Sequence, residues 1–198
     1  MKKVNILGKT LLSATLLSLC IGTTSCKQEP KAEDPKEAAE DINETKFEEN
    51  DAKEDDSQYL VDAAETDLKE IEIGKLAQQK GTDAEVKAFG KKLVDDHTKS
   101  WNELKAVAEQ KQITLPAAIT EEGQDDYNKL NEKTGHDFDK KFAEMMVDGH
   151  KKALDKAQKA SEKANDAEIR TWAAAKIVSL TAHRDHAQML KDKLDKKK

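Results

Sequence analysis

The fold is decided by residues 81–111, GTDAEVKAFGKKLVDDHTKSWNELKAVAEQK. Thr82 is followed three residues later by Glu85, which is the capping-box pattern that typically begins an α-helix. Seven residues then recur at spacings of three and four, as they do on one face of a helix: Val86, Phe89, Leu93, His97, Trp101, Leu104 and Ala108. The pattern therefore predicts one long amphipathic helix that ends before Pro116.

A second stretch repeats this pattern at residues 165–190, NDAEIRTWAAAKIVSLTAHRDHAQML. Its start, DAEIRTW, aligns with DAEVKAF of residues 83–89 at an offset of 83 (166 − 83). Its apolar face carries His183, as the face of the first stretch carries His97. The match indicates a duplicated helical hairpin, and two packed hairpins predict an antiparallel four-helix bundle.

The remaining helices follow from the same periodicity. We predict helices over residues 57–79 and 137–163, and a shorter helix over residues 120–133 that crosses between the hairpins. Gly81 comes directly after the first of these, as glycine commonly does at a helix end. Residues 57–198 contain no pattern typical of a strand, so the predicted fold class is all-α.

The N-terminal region has the composition of an export signal. Residues 10–24 are small or apolar and uncharged after a lysine-containing start, as in secretory signals. Residues 1–25 resemble a bacterial lipoprotein signal, in which a small residue precedes an acylated cysteine. Cys26 after Ser25 fits better than Cys20 after Leu19, although both positions stay open. Lipidation at Cys26 would leave the mature domain without a thiol and exclude thiol-based catalysis.

Residues 26–56 form an acidic segment, with 13 acidic residues and 5 lysines over 27–56, a net charge of −8. Such a composition buries too little surface to offset ordering entropy, so we predict a disordered tether. The domain at 57–198 is nearly neutral and lacks the basic patch that nucleic-acid binding requires. The expected partner is the membrane, through the N-terminal lipid, and no protein partner is indicated. The expected location is the cell envelope, on an outer membrane, facing the periplasm or the exterior.

Three histidines are candidate metal ligands. Counting 1.5 Å per residue from the tight turns places His97, His150 and His183 in one layer, which Glu65 joins. Imidazoles and a carboxylate inside a bundle could hold Zn, Cu or Fe, and His186 is a further candidate ligand. The alternative is ordinary buried histidines, hydrogen-bonded to carboxylates close in sequence: Asp95, Asp96, Asp148 and Asp185.

Several runs resemble the bacterial domain of unknown function 4142 family: EIEIGKLAQQK (70–80), EVKAFGKKLVDDH (85–97), GHDFDKKFAEMMVDGH (135–150) and ITLP (113–116). The resemblance implies a ferritin-like four-helix bundle in an exported protein, and no established activity. It also implies that Glu70, His97, His150 and His183 are characteristic positions. Glu70 is therefore the alternative to Glu65 as the carboxylate ligand. The Glu-x-x-His motifs of di-iron bundles are not present, which argues against a di-iron site.

Two functions follow from these features. The leading hypothesis is a lipid-anchored envelope protein whose bundle is a non-catalytic binding or interaction module, because the sequence shows a well-specified core without a catalytic set. The competing hypothesis is a metal-binding or metal-dependent redox protein that uses the histidine layer.

Overall fold

A computed structural model describes residues 33–197, and within that range the chain is all-helical, with no strand. The predicted signal peptide and Cys26 lie outside the described residues. The helices are α1 (Pro35–Phe47), α2 (Asp51–Lys80), α3 (Ala84–Lys111), α4 (Glu121–Asn131), α5 (Gly135–Lys163) and α6 (Ala167–Lys196).

Two helical hairpins, α2–α3 and α5–α6, contain the four long helices, and each hairpin turns within three residues. The turns have the same backbone conformation: Gly81 has φ −55° and ψ 139°, and Ala164 has φ −56° and ψ 140°. These two residues are 83 positions apart, so the repeat predicted from the sequence extends through the turns.

Each turn is held by a carboxylate from the other hairpin. Asp139 of α5 accepts hydrogen bonds from the backbone N–H groups of Thr82 and Asp83, at 2.9 and 2.8 Å. Asp56 of α2 accepts from those of Asn165 and Asp166, at 2.6 and 2.7 Å. Asp56 and Asp139 are also 83 positions apart and are both buried.

The helix caps lie one residue later than the capping boxes predict. The N-cap of α3 is Asp83, whose side chain accepts from the N–H of Glu85, and the N-cap of α6 is Asp166. Thr82 instead donates its hydroxyl hydrogen bond to Asp139. Asp83 and Asp166 therefore cap the two helices, whereas Thr82 contributes to the contact between hairpins.

Residues 33–56 correct the predicted tether, because α1 and the first residues of α2 are helical. Asp34 caps α1, and Pro35 occupies its first turn, where a missing N–H costs nothing. Phe47 is 5% exposed and packs in the core. The side-chain amide of Asn43 donates to the backbone O of Thr114 and accepts from its N–H, each at 2.8 Å.

Helix α2 is six residues longer at its start than predicted and is rotated relative to the predicted apolar face. Leu68 and Ile71 are only partly buried. Asp67 and Glu70 are 4% and 2% exposed and face the interior instead. Carboxylates therefore lie on the buried face of α2.

The interior contains two apolar clusters. One surrounds Phe89, Phe138 and Phe142, near the turn at Gly81. The other contains Leu60, Leu104 and Ile169, near the opposite turn. Gly74 and Gly90 let α2 and α3 approach closely, because a Cβ atom added at Gly90 would lie 2.7 Å from the backbone O of Gly74.

None of the helices described over residues 33–197 combines the length and hydrophobicity needed to cross a membrane.

Candidate metal centre

A layer of three buried histidines occurs in the interior: His97 on α3, His150 on α5 and His183 on α6. Each is at most 3% exposed. The ring centroids are 5.8 Å apart for His97 and His150, 5.4 Å for His97 and His183, and 5.2 Å for His150 and His183. The structure therefore brings together the three histidines that helix counting places at one height.

One nitrogen of each ring is hydrogen-bonded to an acceptor. Nδ1 of His97 lies 2.8 Å from Oδ1 of Asp67. Nδ1 of His150 lies 2.8 Å from the backbone O of Met146, and Nε2 of His183 lies 2.7 Å from Oδ2 of Asp96. A carbonyl or an ionised carboxylate can only accept, so each of these ring nitrogens carries the hydrogen.

The other nitrogen of each ring is buried and has no hydrogen-bond partner among residues 33–197. These atoms are Nε2 of His97, Nε2 of His150 and Nδ1 of His183. The three residues can present ligand atoms that all lie within 4.8 Å of one another. An unpaired buried polar atom costs about 1–3 kcal/mol, and a single cation between the rings would satisfy all three atoms.

Burial and neighbouring charges set the protonation of the rings. Burial lowers the pKa of His150 despite the nearby charge of Glu70, and burial lowers the pKa of His183 to about 4 despite its hydrogen bond to Asp96. Burial also lowers the pKa of His97, but the hydrogen bond and charge of Asp67, and then the charge of Glu70, outweigh burial, so that the pKa is raised. His150 and His183 are therefore neutral near pH 7, with free lone pairs, whereas a metal ion would compete with a proton at His97.

Glu70 borders this layer, contrary to the helix count that placed it at a different height. Its side chain is buried, and Oε2 has no partner among the described residues. Its charge acts on both His97 and His150. Gly149 leaves room for it, because a Cβ atom there would lie 3.2 Å from Oε1 of Glu70.

Glu65, the carboxylate favoured by helix counting, is held elsewhere. Its Oε2 accepts a hydrogen bond from Nζ of Lys36 at 2.9 Å, and Oε1 lies 3.5 Å from the hydroxyl of Thr120. Within residues 33–197, the only group of at least three close metal-ligating side chains consists of the histidines, without Glu65 or Glu70. Glu65 is therefore part of the attachment of α1.

The supporting carboxylates were only partly visible in the sequence. Asp96 is next to His97 in sequence, yet it binds His183 on another helix. Asp67 was not predicted to support the site, although it lies seven residues, or two helical turns, after the apolar Leu60 and therefore on the same face of α2. His186 lies apart from the layer and stacks on Phe89, with ring centroids 4.3 Å apart.

The arrangement suits a transition metal ion. Imidazole nitrogen is a good ligand for Zn, Cu and Fe, and a carboxylate or carbonyl on the far ring nitrogen is the usual support for a metal-binding histidine. Ligands ~2.1 Å from one tetrahedral ion are ~3.4 Å apart. Compared with the 4.8 Å limit in the structure, the ring nitrogens would need to approach one another by up to about 1.4 Å to reach this spacing.

The comparisons with known proteins assign a family but no activity. No curated protein and no solved structure is significantly similar to this chain. The model of the family described as "Domain of unknown function (DUF4142)" matches residues 43–190. The match includes the three histidines, Asp67 and Glu70, and begins inside the segment predicted to be a tether. This chain therefore belongs to the domain of unknown function 4142 family.

Proposed function

We propose that this chain is a lipid-anchored cell-envelope protein whose ferritin-like four-helix bundle binds one transition metal ion through His97, His150 and His183. The observation that carries the proposal is the set of three buried ring nitrogens without partners, which approach one another from three helices. The proposal takes up the metal-binding hypothesis from the sequence. It concerns binding, and it assigns no turnover.

The bundle in this proposal consists of α2, α3, α5 and α6, with α4 in the connection between the hairpins. Its support is the pair of short turns and the reciprocal carboxylate contacts of Asp56 and Asp139. The histidine layer has hydrophobic packing around it, including Phe89, whose ring centroid lies 6.1 Å from that of His183. Such packing fixes the orientation of the rings.

A single ion is favoured because the repeat does not duplicate the ligands. The residues 83 positions from His97, His150 and His183 are Leu180, Asp67 and Ser100, in that order. One half of the repeat thus supplies a supporting carboxylate at the position where the other half supplies a ligand.

Glu70 is the proposed carboxylate ligand, replacing Glu65. It is buried, it has an unpartnered oxygen, and its charge acts on two of the three rings. A carboxylate is a suitable further ligand at this position, since carboxylates bind Zn and Fe together with imidazoles. Asp67, Glu70 and Asp96 together supply the negative charge that offsets a divalent cation.

Metal analysis tests the proposal. Full-length protein purified in detergent without a histidine tag is equilibrated with Zn²⁺, Cu²⁺ or Fe²⁺ under anaerobic conditions, dialysed and analysed by inductively coupled plasma mass spectrometry. We expect about one ion per chain for the preferred metal, and loss of that ion in the His97→Ala/His183→Ala variant. His136→Ala is the matched control, because His136 lies outside the layer, and it should retain the ion. Equal, near-zero metal in all three proteins would overturn the proposal.

The lipid anchor is tested separately. Cys26→Ala should abolish incorporation of labelled palmitate and release the protein from the membrane fraction, whereas Cys20→Ala should do neither. The opposite pattern would move the anchor to Cys20, and no effect of either change would remove the anchor from the proposal.

A further inference from the structure

A narrow cavity of about 60 Å³ adjoins the histidine layer. Its wall on α5 consists of Ala153, Ala157 and Ala160 together with Lys156, and Trp172 of α6 also lines it. We call it the alanine cavity. It exists because α5 presents small side chains here, whereas phenylalanines fill the interior near the other turn.

The alanine cavity reaches the proposed ligands directly. Both His97 and His183 line it, and each has a buried ring nitrogen without a partner among residues 33–197. The indole N–H of Trp172 is likewise buried without an acceptor among those residues. Trp172 is eleven residues before His183 on α6, or about 16 Å along the helix. The cavity therefore has unsatisfied polar groups at two distant places along its wall.

The cavity and Glu70 lie in opposite directions from the layer. On α2 the cavity is lined by residues that run from the layer toward the start of that helix: Asp67, Thr66, Ala63, Asp62 and Tyr59. Glu70 lies three residues beyond Asp67 in the other direction, which is about 4.5 Å along the axis. With Glu70 as the fourth ligand, the cavity side of the ion would thus be free for a fifth ligand.

We propose that the alanine cavity admits a small exogenous ligand to this open coordination position, opposite Glu70. The inference rests on the proposed metal site. A single water needs about 10–15 Å³ of cavity volume, and this cavity has about 60 Å³. It therefore accommodates a neutral or singly charged molecule of two or three non-hydrogen atoms. Such a molecule would donate a lone pair to the ion in place of water, without any change of oxidation state.

The test uses Co²⁺ as the metal and azide as the probe, with full-length protein in detergent. Co²⁺ bound by three imidazoles absorbs visible light, and this absorption should change with saturation when azide replaces water. Ala157→Leu, which fills the cavity, should weaken azide binding at least 10-fold while Co²⁺ affinity changes less than 3-fold. Ala175→Leu, on the exposed face of α6, is the matched control and should bind azide as the parent does.

The outcomes separate the two proposals. Absence of Co²⁺ absorption would overturn the metal site itself. Absorption that azide does not alter, or an Ala157→Leu protein that binds azide as tightly as the parent, would overturn the cavity inference and leave the metal site standing. If Ala157→Leu does not fold by circular dichroism, the smaller Ala157→Val substitution replaces it, with at least a 3-fold weakening expected.

Discussion

Nδ1 of His97 lies 2.8 Å from Oδ1 of Asp67, 30 residues earlier on the neighbouring helix, and both side chains are buried. This pair gives the first prediction. Asp67→Asn keeps an acceptor for Nδ1 of His97 but removes the negative charge that makes the imidazole a stronger ligand, so Zn²⁺ affinity should fall about 10–100-fold. Competition with a chromogenic chelator measures this affinity. Asp148→Asn, at an exposed carboxylate two residues from His150, should bind Zn²⁺ normally; equal affinities in all three proteins would contradict a supporting role for Asp67.

The close approach of α2 and α3 gives the second prediction. A Cβ atom at Gly90 would lie 2.7 Å from the backbone O of Gly74 and 2.8 Å from Cβ of Ala77. Neither neighbour is the end of a flexible side chain, so Gly90→Ala should separate the helices and lower the free energy of unfolding by about 1–3 kcal/mol. Urea denaturation measures this change.

Gly149→Ala is the matched control for Gly90→Ala. Its added methyl would meet only the carboxylate of Glu70, at 3.2 Å, and a side-chain end can shift. Alanine also favours the helix by up to about 1 kcal/mol over glycine. We therefore expect unchanged or higher stability, together with altered Zn²⁺ affinity because Glu70 moves. Equal destabilisation by both substitutions would contradict the different packing of the two glycines.

The third prediction concerns the attachment of α1. Phe47 is 5% exposed, whereas Ile42 on the same helix is 51% exposed. Phe47→Ala should lower the free energy of unfolding by about 3–5 kcal/mol, and Ile42→Ala should change it by less than about 0.5 kcal/mol. Urea denaturation compares the two. If Phe47→Ala has no more effect than Ile42→Ala, the segment before α2 is a free tether after all.

The fourth prediction is an acid dependence that arises at the N-cap of α3. Hydrogen bonds from Lys197 and from the N–H of Glu85, together with Lys193, hold the pKa of Asp83 at about 2, below its usual 3.8. A depressed folded-state pKa contributes stability above the unfolded value, and this stability is lost as pH falls from about 4 to about 2.

Asp83→Asn keeps a good capping residue and removes the titration. The variant should be less stable than the parent at pH 7, and this difference should shrink between pH 4 and pH 2. Urea denaturation at pH 7, 4 and 2.5 checks it, with Asp155→Asn, at an exposed carboxylate within α5, as control. A difference that is the same at all three pH values would contradict the ionic role.

The helices could be predicted because their signals are local. The periodic face from Val86 to Ala108 and its repeat after Asp166 need only neighbouring residues, and both helices form as expected. Helix α1 was missed for the opposite reason. Its buried residues, Ala39, Asn43 and Phe47, are few among many charges, and the contact of Asn43 with Thr114 spans 71 residues of sequence.

The three histidines could be placed in one layer because tight turns fix helix heights and each residue adds a constant rise. The carboxylates beside the layer could not be predicted in this way, because which side chains of α2 face the interior depends on how that helix is rotated about its axis. Leu68 and Ile71 suggested a buried face that Asp67 and Glu70 occupy instead. A buried carboxylate is expected only where a partner exists, and the partner of Asp67, His97, lies on another helix, 30 residues away in sequence.

The carboxylates of Asp56 and Asp139 make the two hairpins mutually dependent. Turn amides usually exchange with solvent through small local fluctuations, but here four of them donate hydrogen bonds to carboxylates of the other hairpin. Their deuterium uptake would report on separation of the halves rather than on fraying of a loop. The chain should accordingly melt in one cooperative transition, without a stage in which a single hairpin survives on its own.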